Sequence, residues 1–83
     1  MPYIKPDRRK QLQNEVATTC GELNYMITDL LTTYLIVNEE SYQTYNDMIG
    51  ALEGAKLELY RRKIVPYEEK KKNENGDVYD MDV

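Results

Sequence analysis

Apolar residues recur along the chain at the three- and four-residue spacing of an α-helix. The clearest stripe covers residues 23–35, where leucine, isoleucine, methionine and tyrosine alternate at steps of three and four. Just before it, Thr19 and Glu22 stand at the spacing of a capping box, which marks the start of a helix. Asn38 is a suitable stop. We therefore predict a helix over about residues 20–37.

A longer pattern follows. Ser41 can cap a helix whose apolar positions, from residue 42 to residue 64, fill a broad arc when residues are placed at 100° intervals. Pro66 lacks a backbone N–H and should kink this helix, although the following YEEKKKNEN is strongly helix-forming. Gly76 fits a C-terminal cap. We predict a third helix over about residues 41–75, kinked at Pro66.

The N-terminal pattern is thinner. Pro6 suits the first position of a helix, and Leu12, Val16 and Cys20 follow one another at four-residue steps. These features predict a short helix over about residues 6–18. We expect it to cover the two longer predicted helices.

Together the patterns predict an all-α fold, with a short N-terminal helix followed by a long helical hairpin. We expect one domain over residues 1–75 and an acidic tail over residues 76–83. Because the apolar arc of the third helix is wider than one partner needs, we also expect a homo-oligomer that forms a helical bundle. Gly50 and Gly54 would let another backbone approach closely, or they are merely tolerated at about 1 kcal/mol each.

Composition removes several classes of partner. The chain has 83 residues with a net charge of −4, which argues against a long nucleic acid as the partner. No apolar run is long enough to cross a membrane, and the N-terminus lacks the apolar core of a signal peptide. One cysteine fits a reducing compartment. We therefore expect a cytoplasmic protein.

The residues usually required for catalysis are missing. There is no histidine, the single cysteine excludes the usual zinc sites, and the four glycines fit no phosphate-binding loop. We expect no enzyme, no metal and no cofactor, with a carboxylate-based enzyme as the least favoured alternative. Cys20 is interpreted as a packed thiol, with a reactive thiol at a helix start as the alternative.

A cluster of basic and aromatic residues is the candidate ligand site. Tyrosine rings can stack on a planar base while arginines bind phosphate in a bidentate fork. The alternative is a solvated helix face, on which Lys56 pairs with Glu53 and Glu58 pairs with Arg62. The candidate residues are Lys56, Tyr60, Arg61, Arg62, Lys63 and Tyr67.

Five separated segments carry a resemblance: MPYIKPDRR, GELNYMIT, GALEGAKLELYRR, PYEEKK and ENGDVY. The chain resembles a family of small uncharacterised proteins found in bacteriophages, prophages and bacterial genomes. The resemblance implies a phage-like, cytoplasmic accessory protein and attaches no activity to it. With the basic cluster, it suggests an oligomer that sequesters a small anionic ligand such as a nucleotide defence signal. The alternative is an inhibitor or adaptor that binds a host protein.

Overall fold

The computed structural model describes residues 3–79, and the regular structure in that range is entirely helical. The predicted all-α class is therefore confirmed for the described chain. A long helical run follows two shorter helices and contains a π-helical stretch, called here the π segment. The elements are α1 (Pro6–Gln11), α2 (Cys20–Asn38), α3 (Tyr42–Leu59), the π segment (Tyr60–Ile64) and α4 (Val65–Asn75).

The described chain divides into two units, with the boundary between Met48 and Ile49. The first unit contains α1, α2 and the start of α3. The second contains the rest of the long helical run and the segment that follows it. The single domain predicted over residues 1–75 stays a prediction.

The first helix is shorter than the predicted range of residues 6–18. It ends at Gln11, and the chain then turns, with the Gln13 N–H donating to the Lys10 carbonyl at 3.2 Å. The predicted apolar stripe is wrong as well, since Leu12 is buried at 4% exposure whereas Val16 is exposed. A helix continued to residue 18 would therefore bury few apolar side chains beyond Leu12.

Arg8 links α1 to α2 in the first unit. Its guanidinium makes a bidentate pair with Glu22, with Nε to Oε2 and Nη2 to Oε1 both at 2.9 Å. It also donates to the carboxylate of Glu15, in the turn after α1. Bidentate arginine–carboxylate pairs fix orientation as well as distance. The early end of α1 brings Glu15 and Glu22 to the same guanidinium.

Glu22 also organises the start of α2. Its backbone N–H donates to Thr19 Oγ1 at 3.1 Å, which confirms the predicted cap. Its carboxylate accepts from the Thr18 N–H at 2.9 Å. The hydrogen bonds from Arg8, followed by those from Thr18, lower the pKa of Glu22 from 4.5 to about 2. The same pairing raises the pKa of Arg8. The ionised carboxylate is therefore the form that the fold favours.

A side-chain cap begins α3, and α2 ends at Asn38. The Thr44 N–H donates to Ser41 Oγ at 3.0 Å, so Ser41 caps α3 as predicted, and Thr44 is buried. The Asn38 side chain donates to the Tyr34 carbonyl at 2.9 Å, and the backbone leaves the helix at Glu39, with φ of 64°. The helix therefore ends within one residue of the predicted boundary.

The second unit has almost no buried side chain. Among its described residues, Ile64 alone is half-buried and the others are exposed. Gly76 ends α4 with φ of 89°, and its N–H donates to the Lys72 carbonyl at 2.8 Å, as expected of a glycine cap. Of the predicted acidic tail, residues 80–83 lie outside the described residues.

The lowered pKa of Glu22 makes a prediction about acid stability. The Arg8–Glu22 pair should contribute fully above about pH 4.5 and be lost as the pH falls towards about 2. We expect Glu22→Gln to lower the melting temperature at pH 6 and to flatten its pH dependence between pH 6 and 2. Thermal unfolding followed by circular dichroism measures both effects.

Glu68→Gln is the matched control, because Glu68 is exposed and makes no ion pair among the described residues. It should leave the acid dependence of the wild type in place. An equally steep loss of stability in Glu22→Gln would contradict the role given to the pair.

Candidate functional site

The π segment lies where the predicted ligand cluster lies. The Val65 N–H donates to the Tyr60 carbonyl, five residues earlier, instead of to Arg61. Pro66 follows directly and has no N–H to offer. A proline ring also crowds the carbonyl four residues before it, here that of Arg62, and the wider π turn relieves this crowding. The sequence therefore produces the π segment through Pro66.

Four of the six predicted site residues, namely Tyr60, Arg61, Arg62 and Lys63, belong to the π segment. Lys56 precedes it in α3 and Tyr67 follows it in α4. All six are exposed. The long helical run thus places the cluster along one continuous stretch of backbone.

Ion pairs divide the cations of the cluster into two groups. Lys56 Nζ lies 3.6 Å from Glu53 Oε1, as the solvated-face alternative expected. Arg61 donates to Glu58 at 2.6 Å, so the alternative pairing of Glu58 with Arg62 is wrong. Within residues 3–79, neither Arg62 nor Lys63 forms an ion pair. These two cations of the π segment are not neutralised locally.

The two aromatic members of the cluster are open to a stacking partner. Tyr60 is 49% exposed and Tyr67 is 61% exposed. The ammonium of Lys71 lies 5.7 Å from the centroid of the Tyr67 ring, within the range of a cation–π interaction. One tyrosine therefore stands at the start of the π segment and the other just beyond its end.

A shallow concavity at the end of α4 was not predicted from the sequence. It has a volume of about 370 Å³, and of the six predicted residues only Tyr67 lines it. Its wall mixes acidic and basic side chains, and Lys72 pairs with Glu69 at 3.2 Å. The sequence feature that could have indicated this concavity is Gly76. Its turn places Val78 and Tyr79 in the wall. The mixed charges give this concavity no preference for an anion.

A second concavity, of about 280 Å³, lies in the first unit between α1 and α2. Leu12, Met26 and Leu30 supply its apolar wall, and Arg9 lies with its guanidinium carbon 5.8 Å from the Tyr25 ring centroid. The Nε of Arg9 donates to the Ile4 carbonyl at 2.9 Å. No sequence pattern pointed to this groove, because its residues belong to two helices and the turn between them.

Other candidate chemistry receives little support from the described residues. Cys20 is exposed at the first position of α2, so its interpretation as a packed thiol is wrong. Residues 3–79 contain no group of three potential metal ligands drawn from histidine, cysteine, aspartate and glutamate. None of the described helices has the length and apolarity needed to cross a membrane.

Comparison with known proteins yields a family without an assigned activity. The family model described as Domain of unknown function (DUF6899) matches residues 1–78. No curated protein and no solved structure matches the chain.

Proposed function

We propose that this chain, which belongs to the family described as Domain of unknown function (DUF6899), acts by binding a small anionic ligand, most specifically a nucleotide. The observation that carries the proposal is the coincidence of the π segment with the charged cluster. π-Helical turns are rare and occur frequently at functional sites. Residue types indicate the cluster, and the backbone hydrogen bonds show the π segment that Pro66 produces at the same residues.

In the proposed site, basic side chains bind the phosphate and tyrosine rings stack on the base. Arg62 and Lys63 are the cations of the π segment without an ion-pair partner in the described chain, and they would bind the phosphate. Tyr60 and Tyr67 would supply a ring for the base, an interaction typically contributing about 1–3 kcal/mol per base. Lys56 and Arg61 would contribute less, because each already contacts a carboxylate.

The role that follows is sequestration. The proposed setting is the cytoplasm of a bacterial host, where a phage-type accessory protein would bind a nucleotide signal of host defence and withhold it. Sequestration needs affinity and selectivity and no reacting group, which agrees with a cluster of arginine, lysine and tyrosine. The proposal therefore includes no catalytic step, metal or cofactor.

Assembly is the second part of the proposal. Most helical stability in proteins comes from packing an apolar face, and a lone helix gains little. In the second unit, Leu57 is 57% exposed on the side of α3 that carries Gly50 and Gly54, and no described side chain of that unit is fully buried. We propose that a second copy of the chain covers this face in a homo-oligomeric bundle.

The proposal also retains a bend of the long helical run near Pro66. Prolines and π turns are both known causes of a sharp change of helix direction. Here they occur together, with the Val65 N–H committed to the Tyr60 carbonyl. A bend at this point would turn Tyr67 and α4 relative to α3 and so shape the ligand site.

A second candidate function is inhibition of a host protein. The exposed apolar side chains of the second unit, among them Leu57 and Leu59, would then contact that protein instead of another copy. This function predicts a complex with one host protein and indifference to nucleotides. Calorimetry with nucleotides therefore separates the two candidates.

The two neighbouring arginines should differ in their contribution to ligand binding. Losing a hydrogen bond to a charged group typically costs about 1.5–3 kcal/mol, which corresponds to an affinity loss of roughly 10- to 150-fold. We expect Arg62→Ala to show this loss in calorimetric titrations with mononucleotides and cyclic nucleotides. Arg61→Ala should lose less, because Arg61 is already paired with Glu58. The double variant should abolish binding while helicity is unchanged.

Arg9→Ala is the matched control, since it removes an arginine from the other unit. Absence of heat and of thermal stabilisation with every nucleotide would remove the nucleotide proposal. Equal losses in Arg61→Ala and Arg62→Ala would contradict the division between paired and unpaired cations.

The assembly proposal is tested at Gly54. A Cβ added there would meet nothing within 4 Å in the described chain, so alanine should favour the isolated helix by about 1 kcal/mol. Leucine would obstruct a partner helix that approaches at this position. We expect Gly54→Leu to weaken self-association more than Gly54→Ala, measured by sedimentation equilibrium over a range of concentrations. A monomer mass at every concentration of the wild type would contradict assembly.

A further inference from the structure

The groove between α1 and α2 holds a cation that has no carboxylate partner in the described chain. Arg8 and Arg9 are neighbours on α1, but Arg8 contacts two carboxylates, those of Glu15 and Glu22. Arg9 lines the groove, is half-buried and forms no ion pair within residues 3–79. Taking a charge out of water is unfavourable unless the charge is paired. An anionic group that enters the groove therefore meets a cation that is already partly desolvated.

The guanidinium of Arg9 is also held in one orientation. Its Nε donates to the Ile4 carbonyl at 2.9 Å, and its central carbon lies 5.8 Å from the centroid of the Tyr25 ring. The hydrogen bond and the contact with the ring together fix the plane of the guanidinium. Within the described chain its two terminal nitrogens donate to no acceptor. Both can therefore bind a carboxylate in a bidentate fork.

Asp29 adds an opposite charge to the same groove. It follows Tyr25 by four residues, so its backbone lies about 6 Å further along α2 than that of the ring beside Arg9. Asp29 is exposed and forms no ion pair within residues 3–79. The cation and the anion of the groove therefore do not neutralise each other, and they stand about one helical turn apart.

We infer that this groove binds a free α-amino acid with an apolar side chain. The carboxylate of the amino acid contacts Arg9, and its ammonium group contacts Asp29. Its side chain lies on the apolar wall formed by Leu12, Met26 and Leu30. The groove has a volume of about 280 Å³, just below the range of about 300–1,000 Å³ that is typical of pockets for drug-sized ligands. It therefore suits a small ligand.

The two charges of the groove select against other small ligands. A simple anion or a nucleotide would bring its negative charge to within about one turn of Asp29, and a simple cation would be repelled by Arg9. A zwitterion has both charges on neighbouring atoms and pairs with both residues. The inference goes beyond the proposed nucleotide function and uses none of its residues.

The test titrates the full chain with L-leucine and with two analogues that each lack one charge. The methyl resonance of ¹³C-labelled Met26 reports binding, and Met48, which does not line the groove, is an internal reference. We expect leucine to bind about 10-fold more tightly than 3-methylbutylamine, which lacks the carboxylate. It should bind about 3-fold more tightly than 4-methylpentanoate, which lacks the ammonium group, because exposed ion pairs such as that with Asp29 contribute less.

Two variants separate the contacts with the two charges. Arg9→Gln should abolish the preference for leucine over 3-methylbutylamine, and Asp29→Asn should abolish the preference for leucine over 4-methylpentanoate. Adsorption of any apolar molecule to the groove would not produce this crossed pattern. Lys10→Gln is the matched control, because it removes an exposed cation of α1 that does not line the groove. It should leave both preferences unchanged.

The inference is overturned if leucine leaves the Met26 resonance unchanged, or if leucine and both analogues shift it with equal affinity. If Arg9→Gln fails to fold, Asp29→Asn decides alone, because the Asp29 side chain forms no hydrogen bond or ion pair in the described chain. An undiminished preference of Asp29→Asn for leucine over 4-methylpentanoate would then overturn the inference. Each of these outcomes leaves the nucleotide proposal, which depends on Arg62 and Lys63, unchanged.

Discussion

A proline inside a helix removes one donor from the backbone hydrogen-bond ladder, and Pro66 imposes that loss in the middle of the longest helical run. The ladder responds upstream, where the Val65 N–H passes over Arg61 to the Tyr60 carbonyl. The helix continues to Asn75 because the α4 residues after the proline favour it. A local covalent constraint thus creates an irregular stretch without ending the helix, and it does so where cations and tyrosines are concentrated.

The first unit depends on a different interaction, the bidentate pair between Arg8 and Glu22. Only Leu12 and Thr44 are fully buried among the described residues, and Met26, Leu31 and Leu35 of α2 are half-buried. A charge pair that is also hydrogen-bonded to Thr18 and Glu15 can fix an orientation that so small a core cannot. The cost is sensitivity to acid, because the pair requires an ionised carboxylate.

Local signals in the sequence predicted the fold well where the structure depends on neighbouring residues. The caps at Thr19, Ser41 and Gly76 each join residues a few positions apart, and all three were predicted. The end of α1 at Gln11 was not predicted, and its Arg8 contacts Glu22, 14 positions away, a pairing that helical periodicity does not report. The π segment also escaped prediction, since hydrophobic periodicity does not report a shift of backbone donors by one residue.

The candidate site was likewise predictable from local residue types, but its ion pairs were only partly predictable. Residue types located the cluster, whereas the ion pairs within it depend on side-chain geometry that helical spacing alone left open between Arg61 and Arg62. That geometry matters because the chain is acidic overall, with a net charge of −4, and its field repels extended polyanions. A small ligand experiences the local field instead. Arg62 and Lys63, two adjacent cations without an ion pair in residues 3–79, are therefore the proposed contacts for a compact anion.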